Sequence, residues 1–324
     1  MKWKKTDSRY CTHDLFDIYL CNNKTKITRS IKQIKGEDLK SIKTVSVFEN
    51  STKHYNAVSL KGSVYIVFEG SSGLTVTKQT DIISDYSADC DSYRRGFCVC
   101  ALLGKIYVIG GVRRKKLLSS CVQYDPEKQE YKEMSGIGTA RNYAACALFE
   151  GKIVVSGGSV VDIAARDPRF LVLTRSNEAY DHVANAWSHM PNMMEKRNNH
   201  SLVAVKSKLF VVGNGRDSCE VFDRIAGKFS VIRSSEEFAA SCHGGRFVRA
   251  AAVGSKIVVF GRKSSTLVFY DIETDEWSRL FYYEKNCELG KNRYYCFDNI
   301  DVMPCLKVPR PNYFLNRNWN LKIL

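Results

Sequence analysis

Apolar residues in this chain fall in short runs that alternate with glycine-bearing turns, and almost none recur at helical spacing. The clearest run is Gly104-Lys-Ile-Tyr-Val-Ile-Gly-Gly111, a strand opened by a turn glycine and closed by a glycine pair. Near-copies stand at Gly151–Gly158, Ser207–Asn214 and Ser255–Gly261, with a fainter one at Gly62–Gly70. The starts at residues 62, 104, 151, 207 and 255 are 42, 47, 56 and 48 residues apart. Self-similarity at such a period marks a repeat architecture, in which each unit buries its apolar faces only by stacking on its neighbours.

The four units after the first share an internal order. An arginine precedes an Ala/Cys/Val-rich strand, a turn leads into the Ile/Val strand that ends in glycine, and a variable loop follows. An aromatic strand, a polar turn and a last aromatic position complete the unit. Tyr124 and Tyr131, Tyr180 and Trp187, Phe222 and Phe229, and Tyr270 and Trp277 are each seven residues apart, around turns that begin Asp125, Asp181, Asp223 and Asp271. Leu20 and Ile27 share the spacing around Asn22-Asn23. The pattern predicts an all-β chain of four-stranded units, strands a to d.

Gly110-Gly111 with Tyr124-Asp125-Pro126, and Gly157-Gly158 with Tyr180-Asp181 and Trp187, resemble the Kelch repeat. The likeness covers about residues 51–280, with repeats at 51–92, 93–139, 140–195, 196–244 and 245–281. Departures are Gly213-Asn214 and Gly261-Arg262 in place of the glycine pair, and Tyr131 and Phe229 in place of tryptophan. The resemblance implies a β-propeller within residues 15–308, its glycines allowing close backbone approach and its aromatics wedging between blades. Residues 15–34 read as the outer two strands, c and d, of a sixth blade whose inner strand comes from 292–303; closure from both termini would remove free edges. Residues 1–14 read as a lead-in, 35–50 as a connector and 309–324 as a tail.

Composition adds less. The net charge of +15 invites an anionic partner, but the basic residues are spread along the chain, the densest run being Arg113-Arg114-Lys115-Lys116. Nucleic acid is a minor expectation. No apolar stretch approaches the ~20 residues that span a bilayer, so no membrane partner is expected and a cytoplasmic location is. The 12 cysteines lack the spacing of zinc knuckles and read as reduced, buried thiols, with no metal or cofactor implied.

The candidate site residues recur without belonging to the packing pattern. Arg94, Arg141 and Arg197 lie ten residues before the start of their strand-b run, and Arg246 nine before Ser255. In a propeller they form a crown at the channel mouth, with Asn198, Asn199, His200 and Arg95 beside them. Two roles stay open: gripping an acidic or phosphorylated protein segment, or bonding local carbonyls. The insertion at 160–177 is a further contact candidate. Six histidines without ligand spacing, no Gly-x-Ser-x-Gly elbow and no phosphate-binding glycine loop argue against an enzyme. Likeness to Kelch-like proteins implies an adaptor that binds a target for a cullin-3 ubiquitin ligase; actin binding is the alternative within the family. The BTB and BACK domains of that family have no counterpart in the roughly fifty residues before the first full repeat. The chain therefore reads as a fragment or short form.

Overall fold

The computed structural model describes residues 16–23, 28–35, 38–49, 55–78 (less 62, 71 and 72), 94–232 (less 166, 168 and 215–218), 238, 248–281 (less 254 and 262–265), 283–284, 300–304 and 321–322. Four complete antiparallel sheets follow the repeats. In the blade of the second repeat, Cys98–Leu102 (a), Lys105–Ile109 (b), Cys121–Asp125 (c) and Glu130–Met134 (d) pair in that order. The third has Ala145–Phe149, Lys152–Ser156, Asn177–Asp181 and Ala186–Met190. The fourth has Ser201–Val205, Lys208–Val212, Cys219–Asp223 and Lys228–Ile232; the fifth Val248–Val253, Lys256–Gly261, Thr266–Asp271 and Glu276–Phe281. The first shows three strands, Tyr55–Leu60, Ser63–Gly70 and Gly73–Lys78.

The sixth blade joins both ends of the chain, as expected, but not in the expected roles. Ile300–Pro304 is its inner strand, paired with Phe16–Asn23, then Thr28–Lys35, then Asp38–Glu49. Residues 15–34 thus hold strands b and c, and part of the presumed connector is strand d. Register shifts beside Ile31 and Ile34 break the alternation of that last pairing, which is why residues 38–49 lack a clean period-two signature. Leu20 pairs with Lys32 rather than with Ile27, so their spacing is not the aromatic device of the other blades. Inner strands of successive blades lie side by side around the whole set, with Ile300–Pro304 touching both Val248–Val253 and Tyr55–Leu60. The ring therefore closes at six blades.

Strand b shows why the runs are continuously apolar. Ile106 and Val108 face the first blade, with Val58, Val67 and Tyr124, whereas Tyr107 and Ile109 face the third, with Ile153, Val155 and Tyr180. Both faces of this inner strand are covered, so alternation with polar residues is lost. The core is a series of layers between blades.

The aromatic pairs are direct cross-strand partners: Tyr124 with Tyr131, Tyr180 with Trp187, Phe222 with Phe229, Tyr270 with Trp277. Their ring centroids lie 4.8, 5.2, 5.1 and 4.9 Å apart, tilted by 42–46°. Seven residues is the separation that the Asp-initiated turn imposes. Asp125, Asp181 and Asp223 each accept two backbone N–H groups through Oδ1, and the residue closing the turn (Gln129, Asn185, Gly227) has positive φ. Trp187 Nε1 donates to Ser135 O of the preceding blade at 2.8 Å, and Tyr131 Oη accepts Val76 N–H of the first blade. No described helix is long and apolar enough to cross a membrane.

Candidate functional site

Strand b ends where neighbouring backbones come closest. Gly110 and Gly157 have φ of 64° and 60°, and a Cβ there would sit 2.6 Å from Arg141 O and 2.5 Å from Arg197 O. The second glycine of each pair donates its N–H to those same carbonyls, both at 2.7 Å. Only glycine permits this contact, which ties each blade to the arginine opening the next.

The arginines themselves are interior. Arg94, Arg141 and Arg197 are 2%, 1% and 0% exposed. Each guanidinium donates to the carbonyl sixteen residues on: Gly110, Gly157 and Gly213, at 2.6, 2.9 and 3.0 Å. Arg94 and Arg141 also reach Ser120 O and Ser176 O. Arg141 pairs with Glu178 at 2.5 Å and Arg197 with Glu220 at 2.9 Å, carboxylates buried as deeply as their partners. Burial pulls the Arg94 and Arg141 guanidinium groups below their ordinary range, opposed at Arg141 by Glu178. Of the two roles left open by the sequence, these three residues take the one of bonding local carbonyls. They do not form a solvent-facing crown, because their carbonyl and carboxylate partners lie inside the ring. Arg246 falls outside the described residues.

The glutamates were missed in the sequence. Glu178 and Glu220 each stand two residues before the aromatic of strand c, in units that also carry the arginine; that coincidence was the available signal. Both also cap the chain entering the arginine: Glu178 accepts Gly138 and Thr139 N–H, and Glu220 accepts Met194 and Glu195 N–H. In the first blade Glu69 accepts the N–H of Arg94 and pairs with Arg113.

His200 is likewise buried. Its Nε2 lies 3.2 Å from Ser156 Oγ, and Nδ1 has no hydrogen-bond partner among the described residues. Burial, with Arg197 and Arg249 nearby, lowers its pKa to about 3. The Ser156 hydroxyl is fully buried and directed at Met193 Sδ, 3.1 Å away. With neither an orienting carboxylate nor an exposed hydroxyl, the pair lacks the arrangement of a nucleophile and its base. Asn199 is half-buried at the channel mouth with φ of 49°, its N–H donating to Tyr143 O and its carbonyl accepting from Arg249. Tyr143 N–H donates in turn to Gly96 O at 2.6 Å. Gly96, Tyr143 and Asn199, all left-handed, thus string hydrogen bonds from blade to blade around the mouth.

Inside this collar a channel of about 570 Å³ runs between the inner strands. Among the described residues its wall is mostly Ala, Val, Ser and Cys, with Arg249 as the charged member. Among the described residues no cluster of His, Cys, Asp or Glu is fit to hold a metal ion.

What projects from the mouth is a pair of b–c hairpins. Val112–Arg113 pairs with Lys116–Leu117 across Arg114 and Lys115, whose φ values of 47° and 63° make a tight primed turn. Residues Arg113, Arg114, Lys115 and Lys116 are exposed above buried Val112 and Leu117. Ser159–Val161 pairs with Leu171–Leu173 within the insertion at 160–177. Ile163 is 99% and Phe170 63% exposed, and Leu171, Val172 and Leu173 are exposed with them. Bridges from Arg95 to Val112 and from Asn142 to Ser159 fasten the hairpins to the segments entering the inner strands. Both hairpins therefore stand on the arginine-bearing face, one basic and one apolar.

Residues 93–136 and 140–194 match the Kelch motif. This chain carries Kelch repeats. It is 28% identical over 207 residues to Kelch-like protein 25 of Xenopus tropicalis, covering 60% of this chain and 34% of that protein. It is 32% identical over 119 residues to Kelch-like protein 40 of Mus musculus, covering 36% and 18%. The chain thus spans about a third or less of the length of these curated relatives. A solved structure described as "Structure of YjhT" superposes with a TM-score of 0.49 at 14% identity, over 58% of this chain and 65% of that one.

Proposed function

We propose that the chain is a protein-interaction module whose docking face is the channel mouth with its two raised hairpins, and that it serves as the target-binding part of a Kelch-like adaptor for a cullin-3 ubiquitin ligase. One observation carries the first half: the mouth is ringed by a hydrogen-bonded collar, yet it presents exposed apolar side chains beside an exposed basic turn. Exposed apolar groups rimmed by charge mark contact surfaces. The resemblance to Kelch-like proteins supports the second half, in which the ring captures the target and a BTB domain contacts the cullin.

The test is affinity capture from cell extract with the wild-type ring and two mouth variants, Arg114→Glu with Lys115→Glu, and Phe170→Asp. Melting curves confirm folding. Proteins lost from both variants are the expected targets, and their ubiquitylation should depend on the assembled adaptor. If the folded variants retain the full captured set, the docking face is elsewhere. Cosedimentation with filamentous actin would redirect the proposal to the cytoskeleton.

A further inference from the structure

The apolar hairpin has an open side. Its ladder pairs Val160 with Val172, and the flanking bonds run from Asp162 N–H to Phe170 O and from Thr174 N–H to Gly158 O. Phe170 O and Thr174 N–H are thus turned toward the first strand of the hairpin, with Val172 between them in the register, whereas Phe170 N–H donates to Asp167 O and Thr174 O accepts Arg197 N–H. By antiparallel geometry, Leu171 and Leu173 turn their N–H and C=O groups the other way. At the base of the hairpin the same outward row is filled, Arg175 O accepting Met193 N–H at 2.9 Å. Above it, Leu171–Leu173 pairs with Ser159–Val161 alone among the described residues. Phe170, Leu171, Val172 and Leu173 are all exposed, so both faces of this edge are apolar. An exposed apolar edge strand is a template for another strand.

We infer that the outer edge of Leu171–Leu173 is a β-augmentation site for an extended apolar segment of a partner protein, bracketed by acidic residues. Main-chain pairing to Leu171 and Leu173 supplies the register, and apolar side chains cover Phe170 and Val172 on one face and the two leucines on the other. Acidic flanks are selected by charge: the chain carries +15 overall, and the basic hairpin at 113–116 stands on the neighbouring blade. The same charge disfavours a second copy of this chain as occupant, since each copy brings the same positive surface.

The inference rests on the docking face proposed above and narrows it to one edge. The test uses fluorescence anisotropy with a short labelled peptide, an apolar run of valine and leucine between glutamates. Three controls accompany it: a lysine-flanked peptide, a scrambled one, and one N-methylated on alternate residues. Leu171→Pro and Leu173→Pro each delete an outward N–H while leaving the inward ladder intact, as proline does on an edge strand. The glutamate-flanked peptide should bind the wild-type ring, and the N-methylated peptide and both proline variants should weaken binding by about tenfold or more, the equivalent of losing one or two hydrogen bonds. Binding that is indifferent to N-methylation or to both prolines overturns the site, as does an equal affinity for the lysine-flanked peptide. A wild-type ring that dimerises and becomes monomeric with Leu173→Pro would show a second copy to be the occupant and overturn it too. If the proline variants still capture every target from extract while the peptide fails to bind, this edge is wrong and the docking face stands.

Discussion

Arg197 Nη2 and Glu220 Oε1 lie 2.9 Å apart with neither side chain exposed to solvent. Glu220 Oε1 also accepts from Arg197 Nε, and its carboxylate caps Met194 and Glu195 N–H. These bonds are made inside the ring, so the charge is spent on the fold. Arg197→Met or Glu220→Gln should each destabilise by about 3–5 kcal/mol, because each strands a buried group. The double variant Arg197→Met with Glu220→Met should cost less than the two singles summed. Urea unfolding of all four proteins measures this; strict additivity would mean that the pair is not coupled.

Gly157 and Gly151 have similar φ, 60° and 74°, but different surroundings. A Cβ at Gly157 would meet Arg197 O at 2.5 Å, whereas nothing lies within 4 Å of one at Gly151. Gly151→Ala should cost about 1 kcal/mol, the penalty of the left-handed backbone alone. Gly157→Ala should cost at least twice that, because two blades must part. Thermal melts of the two variants give the comparison, and equal losses would remove the close approach as the reason for the glycine pair.

Trp187 stacks on Tyr180 and hydrogen-bonds to the preceding blade, whereas Tyr131, its counterpart one blade earlier, is 46% exposed. Trp187→Ala should cost about 3–5 kcal/mol and Trp187→Phe considerably less. Tyr131→Ala should fall below Trp187→Ala. Chemical denaturation would show it, and reversal of that order would contradict the wedge role.

His200 makes the ring sensitive to acid. Its native pKa of about 3 lies below the ordinary 6.5, so between these values the unfolded chain binds a proton that the folded one does not. Stability contributed by the neutral imidazole is present above pH 6.5 and is lost as pH falls toward 3. From pH 6.5 to 5 the loss is about 2 kcal/mol for this group. His200→Asn should flatten that part of the stability profile, read as the urea midpoint against pH. An unchanged slope would assign the acid sensitivity to other groups.

Much of the ring was legible because its determinants are local. Gly110-Gly111, the turn at Asp125 and the seven-residue step from Tyr124 to Tyr131 each act within one hairpin, so a strand period and a turn residue suffice to read them. The composite blade was legible in outline, as unpaired strands at both ends of a repeat chain. Its outer strand at residues 38–49 was not, because register shifts erase the alternation that marks a strand.

The chain alone determined that it would fold as repeating four-stranded sheets that must stack, and that in four of the units a recurring arginine would precede the inner strand. Only the tertiary structure decided which way those arginines point. Arg141 finds Glu178 thirty-seven residues on and Arg197 finds Glu220 twenty-three on, across loops of unequal length. The carbonyls of the same arginines receive glycine N–H groups from the preceding blade. A guanidinium suits an acidic partner peptide and an interior carboxylate equally well, and no spacing distinguishes them. The choice is made by burial, once the neighbouring blade closes over the side chain and a charge left there must be paired within the protein.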